Sequence, residues 1–288
     1  MSVAVVTDST AYLPAELLTR LQVKVEVVPL SVVVGGKDFR EGLDISIGDL
    51  SAALRGFKTV STSRPSPQTF LDVYERLAAD GADAIVSVHL SADMSGTVQS
   101  AQLAAQQSPV PVTVVDSRSL GMAMGFGVLS AAAAARGGRD AAAVAETAED
   151  RSTSAQVAFY VDTLEYLRRG GRIGAASALL GSALAIKPIL TLRDGVITPL
   201  ERVRTSSRAL ARVAELTANA ANDLLASGRR VDIAVQHLDS LARAQSLATT
   251  LKASVPGAEE IVVAELGAVV GAHVGPGTIA AVASPRPD

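Results

Sequence analysis

Strand and helix signals alternate through the first half of this 288-residue chain, and that alternation restricts its fold more than any other feature. Val3-Ala4-Val5-Val6-Thr7 reads as a strand, and Pro14 to Leu21 as a short helix with apolar residues at helical spacing. Val23 to Val28 follows, then Val32-Val33-Val34-Gly35-Gly36, which turns back toward Phe39. Ser66-Pro67 is an N-cap followed by proline in the first helical position, opening a helix to about Ala79. Ala84 to Leu90 is a strand that gives way to a helix over Val98 to Gln107. Val112 to Val115 then leads through Asp116-Ser117 into a long small-residue helix from about Leu120. Strands separated by helices need crossover connections, so the pattern predicts an α/β unit with a mainly parallel sheet.

The second half reads differently. After alanine-rich helices around residues 140 to 153, Val157 to Val161 is a strand and Leu164 to Arg168 a short helix. Ile189 to Leu192 and Val196 to Leu200 flank Asp194-Gly195, a two-residue hairpin signal. Ser207 to Ala226 is an amphipathic helix closed by Gly228. Val231 to Val235, a helix from Ser240, and Ile261 to Ala264 complete a mixed-sheet α+β unit. The expected division is 1–155 for the α/β domain and 156–288 for the α+β domain, with a ligand held between or beside them.

Composition removes several classes of function. A hydrophobic fraction of 48% suffices for real cores, and the absence of cysteine excludes disulfides, thiolate metal sites and a cysteine nucleophile. A reducing, cytoplasmic setting fits. A net charge of −3 without a dense basic tract argues against a nucleic-acid partner. No secretory signal precedes Asp8, and the most membrane-like run, Ile173 to Ile186, is shorter than the roughly 20 apolar residues of a spanning helix. It reads as a buried or cleft-lining helix in a soluble protein.

The residues that could carry chemistry are small hydroxyls at strand ends: Thr7-Asp8-Ser9-Thr10, Ser61-Thr62-Ser63, Ser91 to Thr97, and Asp116-Ser117. Ligands of open parallel sheets bind at the carboxyl ends of strands. The Ser91–Thr97 run, with Ser95, Gly96 and Thr97 opening a helix, offers backbone N–H groups and hydroxyl donors to a small anion. Caps have the same composition. Asp8 and Asp116 read first as loop-bracing residues. Of the three histidines, His89 and His237 suit structural roles. His273 sits in a glycine-flanked turn, Gly271 to Gly277, where an imidazole could donate to an anion with its pKa moved toward the charged form. Arg168-Arg169-Gly170-Gly171-Arg172 is either a solvated helix end or a phosphate or partner contact. P-loop, dinucleotide, nucleophile-elbow and metalloprotease signatures are absent.

The ordered set of motifs resembles the DegV family of bacterial fatty-acid-binding proteins over nearly the whole chain. It comprises V-x-x-V-T-D-S-T at Val3 to Thr10, T-S-R-P-S at Thr62 to Ser66, S-x-x-M-S-G-T-x-Q-S-A at Ser91 to Ala101, V-D-S from Val115, L-x-x-G-G-R-I from Leu167 to Ile173, and the final H-V-G-P-G. The resemblance implies a cofactor-free, non-enzymatic subunit that buries the tail of one long-chain fatty acid. Its carboxylate would be met by Thr62, Ser95 and His273, with Ser63, Gly96 and Thr97 as the supporting loop. It further implies that the carboxylate is presented to a separate ATP-dependent fatty acid kinase, which forms the acyl phosphate. Arg172 and Arg204 stand where the family places arginines linked to that encounter, with Arg202 a close neighbour. Loading would involve transient contact with a membrane surface. Where the family commonly has Gln, Ser and Leu, this chain has Arg64, Ala92 and Met94. Small residues in Ala175 to Ala185 and Met122 to Ala134 leave room for a tail or allow close helix packing. The competing readings are a serine-dependent esterase or thioesterase using Ser95 and His273, and a lipid-sensing regulator.

Overall fold

The structure, a computed structural model, describes residues 2–179 and 186–287. The chain begins β1 (Val3–Asp8), α1 (Ala15–Leu21), β2 (Glu26–Val28), β3 (Ser31–Val34), β4 (Lys37–Arg40), α2 (Ile47–Arg55) and β5 (Val60–Ser63). It continues α3 (Pro67–Ala79), β6 (Ala84–His89), α4 (Thr97–Ala105), β7 (Val112–Asp116), α5 (Gly121–Arg136) and α6 (Ala141–Ser154). Then come β8 (Gln156–Tyr160), α7 (Glu165–Arg169), β9 (Lys187–Arg193), β10 (Val196–Val203) and α8 (Ser206–Ala226). The last elements are β11 (Val231–His237), α9 (Leu241–Ser254), β12 (Glu260–Glu265), α10 (Ala268–Val274) and β13 (Ile279–Pro285).

Two compact units emerge. The first takes Met1–Ser31 and Ser63–Ser154; the second takes Val32–Thr62 and Ala155–Arg286. This differs from a division at 155 alone, because residues 32–62 leave the first half and join the second. The physical reason lies in side-chain bonds made across 184 and 228 residues of sequence. Glu41 accepts the Val269 N–H at 2.7 Å, and Arg55 pairs with Asp239 at 2.5 Å. Leu50, fully buried, packs against Gly271 of α10.

In the first unit, β2-β1-β6-β7 form a parallel sheet, with Thr7 beside Val88 and His89 beside Asp116 in register. Every residue of β6 is buried, as expected of a central strand with helices on both faces. One face holds the core of Val6, Phe70, Tyr74, Ile85, Ala101 and Ala104. On the α5 helix, Gly121 to Ala132 are buried without interruption, so this helix is apolar all round and lies inside the unit. Ser66 caps α3 by accepting the Thr69 N–H at 3.1 Å, with Pro67 following as the pattern requires.

The second unit has a six-stranded mixed sheet, β10-β9-β8-β13-β11-β12, in which only β11 and β12 are paired in parallel among the described strands. Its core joins Tyr160, Ile189, Val213, Ile233, Leu247 and Leu251. Asp194 and Gly195 make the β9–β10 turn, with φ of 52° and 82°. Two positive φ values are what a type I′ hairpin demands. A three-stranded sheet, β4-β3-β5, completes the fold. The Ile173–Ile186 run, expected as a buried or cleft-lining helix, opens as a 3-10 helix over Gly174–Leu179 in which only Ala176 and Leu179 are buried; residues 180–185 lie outside the described residues, and Ile186 is not helical. No described helix is long and apolar enough to cross a membrane.

Candidate functional site

The first unit carries the hydroxyl loop that joins β6 to α4. Its backbone is held from both neighbouring strands. At the end of β1, Asp8 accepts the Leu90 N–H at 3.0 Å; at the end of β7, Asp116 accepts the Ala92 N–H at 3.2 Å. Both aspartates therefore brace the loop. Between them, the Ser91 N–H donates to the Ser119 carbonyl at 2.9 Å, and the Ser95 N–H returns to the Ser91 carbonyl at 3.1 Å. Ser95 Oγ and Thr97 Oγ1 are 2.9 Å apart, with Ser95 half-buried and Thr97 fully buried. Gly96 is the N-cap of α4 and, having no side chain, gives its first turn no side-chain cap bond. The Arg64 guanidinium lies directly over Gly96, so that a methyl group added there would overlap it. Arg64 thus brings an exposed cation to the loop.

The second unit brings Thr62 and His273 together. Thr62, in β5, places Oγ1 2.9 Å from His273 Nε2. His273 belongs to the last turn of α10, with Gly275 (φ 77°) ending the helix; the expected glycine-flanked turn is a helical one. Gly170, just past α7, sits so close to the imidazole that a Cβ there would fall 2.0 Å from Nδ1. Only glycine allows that approach. Nδ1 is sealed from solvent and has no hydrogen-bond partner among the described residues.

The charge expected of His273 is reversed. Burial, assisted by the nearby Arg172 cation, pushes its pKa down to about 4, so the ring is neutral at physiological pH. A neutral ring has one N–H. The tautomer that carries it on Nε2 donates to Thr62 Oγ1, which leaves the threonine hydroxyl hydrogen for an external acceptor.

Arg168 and Arg169 both pair with Glu165, with closest contacts of 2.7 Å, and hold its exposed carboxyl down at about 2. Arg172 instead donates to the Gly170 carbonyl at 2.8 Å, which joins it to the glycine turn packed on His273. Arg202 and Arg204 are exposed, the first in β10 and the second in the link to α8. Ser63 is exposed at the end of β5. Spacing alone did not reveal the part of Gly170, although its Gly-Gly-Arg setting was visible. His237 Nδ1 accepts the Ser240 N–H at 3.4 Å beside α9, and His89 is fully buried in β6. No cluster of three or more metal-binding side chains occurs among the described residues.

Comparisons with known proteins follow the same outline. The family model describing uncharacterised proteins of the DegV family matches residues 2–286. A DegV domain-containing protein of Streptomyces coelicolor is 51% identical over 284 residues, covering 99% of each chain. A solved DegV family protein from Thermus thermophilus, described by its fatty acid binding, has a TM-score of 0.90 at 38% identity and covers 99% of this chain and 100% of its own. DegV of Bacillus subtilis, described as a fatty acid binding protein, has a TM-score of 0.88 at 32% identity with 99% and 100% covered. By match length and by identity, this chain belongs to the DegV family.

Proposed function

We propose that the protein binds one long-chain fatty acid, buries its acyl tail and presents its carboxylate to a partner ATP-dependent kinase that forms the acyl phosphate. The observation that carries this reading is the Thr62–His273 pair, a neutral imidazole positioned so that a threonine hydroxyl is available to an anion. The fatty-acid binding of the Thermus and Bacillus relatives supports the choice of anion. The proposal assigns Thr62, Ser95 and His273 to the carboxylate, with Ser63, Gly96 and Thr97 in support.

The energetics divide by part of the ligand. A tail of about 14 methylenes gains about 0.8 kcal/mol each on burial, on the order of 10 kcal/mol gross before ordering costs. The carboxylate gives up hydration and regains it only through hydrogen bonds, so it adds orientation more than affinity. The phosphoryl transfer from ATP to the carboxylate would belong to the kinase, with Arg172 and Arg204 facing that partner. Loading is assigned to transient contact with a membrane surface, where long-chain acids partition.

Native mass spectrometry of the full chain purified from cells is expected to show one co-purified mass matching a fatty acid. A double-mutant cycle on Ser95→Ala and Thr62→Val then reads whether both act on one carboxylate. Each substitution is expected to cost about 1–2 kcal/mol, less together than the sum. Absence of any fatty-acid complex, or full affinity in both variants, overturns the reading. Acyl phosphate made from the bound acid by a kinase subunit and ATP tests the second step. The esterase reading requires a third group orienting the histidine base. His273 Nδ1 has no such partner among the described residues, and the site favours binding.

A further inference from the structure

Beneath the Ser95 loop lies a buried run of polar side chains that the proposed binding step leaves unused. Tyr74 donates its hydroxyl to Ser87 Oγ at 2.9 Å, Ser87 Oγ lies 2.7 Å from His89 Nε2, and His89 Nδ1 lies 3.0 Å from Asp8 Oδ2. All four residues have 0% exposure. Serine, histidine and aspartate in this connectivity are the parts of a nucleophilic triad. Here the serine is closed off, occupied by the tyrosine, and the His89 ring stands edge-on to Phe70 with centroids 4.9 Å apart. A substrate has no approach, so the network must act through what it holds.

What it holds is the Asp8 carboxylate. One oxygen accepts the Thr10 N–H at 3.0 Å and the Thr10 hydroxyl at 2.6 Å; the other accepts His89 Nδ1–H and the Leu90 N–H, both at 3.0 Å. Leu90 is where β6 becomes the loop, one residue before the Ser91 carbonyl that receives the Ser95 N–H. Every acceptor position of Asp8 meets a donor. An asparagine there would turn its NH₂ toward donor hydrogens on one side or the other: facing β6 it deprives the Leu90 amide of its anchor, and facing Thr10 it deprives the Thr10 amide of its acceptor. The Asp116 contact on Ala92 acts from the opposite strand, so the loop is fixed on both flanks.

We propose that Asp8, oriented by His89, is a positioning residue that sets the Ser95 loop for recognition of a carboxylate head group. This rests on the fatty-acid reading above and adds the residues that determine its head-group selectivity. Asp8 and His89 touch no ligand in this scheme; they fix the backbone from which Ser95 does.

The test compares affinities of the full-length protein for a long-chain fatty acid and for the alcohol with the same tail. Wild type is expected to prefer the acid. Asp8→Asn is expected to reduce that preference about tenfold, as Ser95→Ala does, while affinity for the alcohol changes little. His89→Asn, whose amide can still donate to Asp8, is expected to retain most of the preference. Should Asp8→Asn fail to fold, His89→Phe keeps the ring volume, removes the donor and is read the same way. Equal loss for acid and alcohol marks a merely structural role and overturns the proposal, as does an undiminished preference in a folded variant. A wild-type protein that binds acid and alcohol alike overturns the carboxylate reading itself, and that result appears before any variant is made.

Discussion

The neutral state of His273 has a consequence for stability that can be worked through from its surroundings. In the unfolded chain its imidazole takes up a proton near the ordinary value of about 6.5. In the fold, burial and the Arg172 cation postpone that step to about 4. Between those two pH values the unfolded state binds one more proton than the native state, so stability rises with pH across the window. The contribution is complete above about pH 6.5 and lost as the pH falls toward 4. The full interval corresponds to about 3 kcal/mol as a ceiling, and solvent reaching the half-buried ring brings the expectation nearer about 2 kcal/mol. Urea unfolding of wild type and His273→Gln between pH 4.5 and 8 isolates the effect, because titration of the carboxylates cancels in the difference. The stability of wild type relative to the variant should fall by about 2 kcal/mol from pH 7.5 to 4.5. The His273 ring signals in an NMR titration should keep their neutral positions down to pH 5. A flat difference curve, or a ring that titrates near 6.5, refutes the reasoning about burial and Arg172.

Gly170→Ala places a methyl 2.0 Å from His273 Nδ1, so the ring must leave Thr62; affinity for a fatty acid, measured by calorimetry, should drop about tenfold while the fold persists. Arg172→Ala removes the cation that helps keep His273 neutral and frees the Gly170 carbonyl; its ring pKa should move back toward 6.5 by NMR. In the same variant, acyl-phosphate formation by the kinase should slow more than lipid binding weakens. Arg286→Ala leaves the carboxylate of Asp232, 3% exposed, without the partner at 2.7 Å that Arg286 provides. Its unfolding free energy should fall by about 2 kcal/mol, less than for a fully enclosed pair because the arginine itself reaches solvent.

How much of this could be read in advance depends on how far apart in sequence the interacting residues lie. The α3 helix was legible to its ends, since Ser66, Pro67 and the following periodicity are local signals within a single turn of each other. The β9–β10 hairpin was legible for the same reason, in two residues. The transfer of residues 32–62 to the second unit was not, because what recruits them is Glu41 bonding Val269 and Arg55 pairing with Asp239. Nor was α10 legible as a helix, since Gly271 lowers helix propensity. In the fold a Cβ at that position would fall 2.8 Å from Leu50 and 2.9 Å from Leu238, so packing demands the glycine that the local pattern reads as a break. The candidate site follows the same logic. Each hydroxyl loop is visible in its own neighbourhood, but the Thr62–His273 bond spans 211 residues. The sign of the histidine's pKa shift comes from burial and from Arg172, 101 positions away and likewise without a local signature. A motif can therefore nominate the residues of such a site, whereas their protonation, and with it the direction in which Thr62 can donate, is a property of the tertiary contact alone.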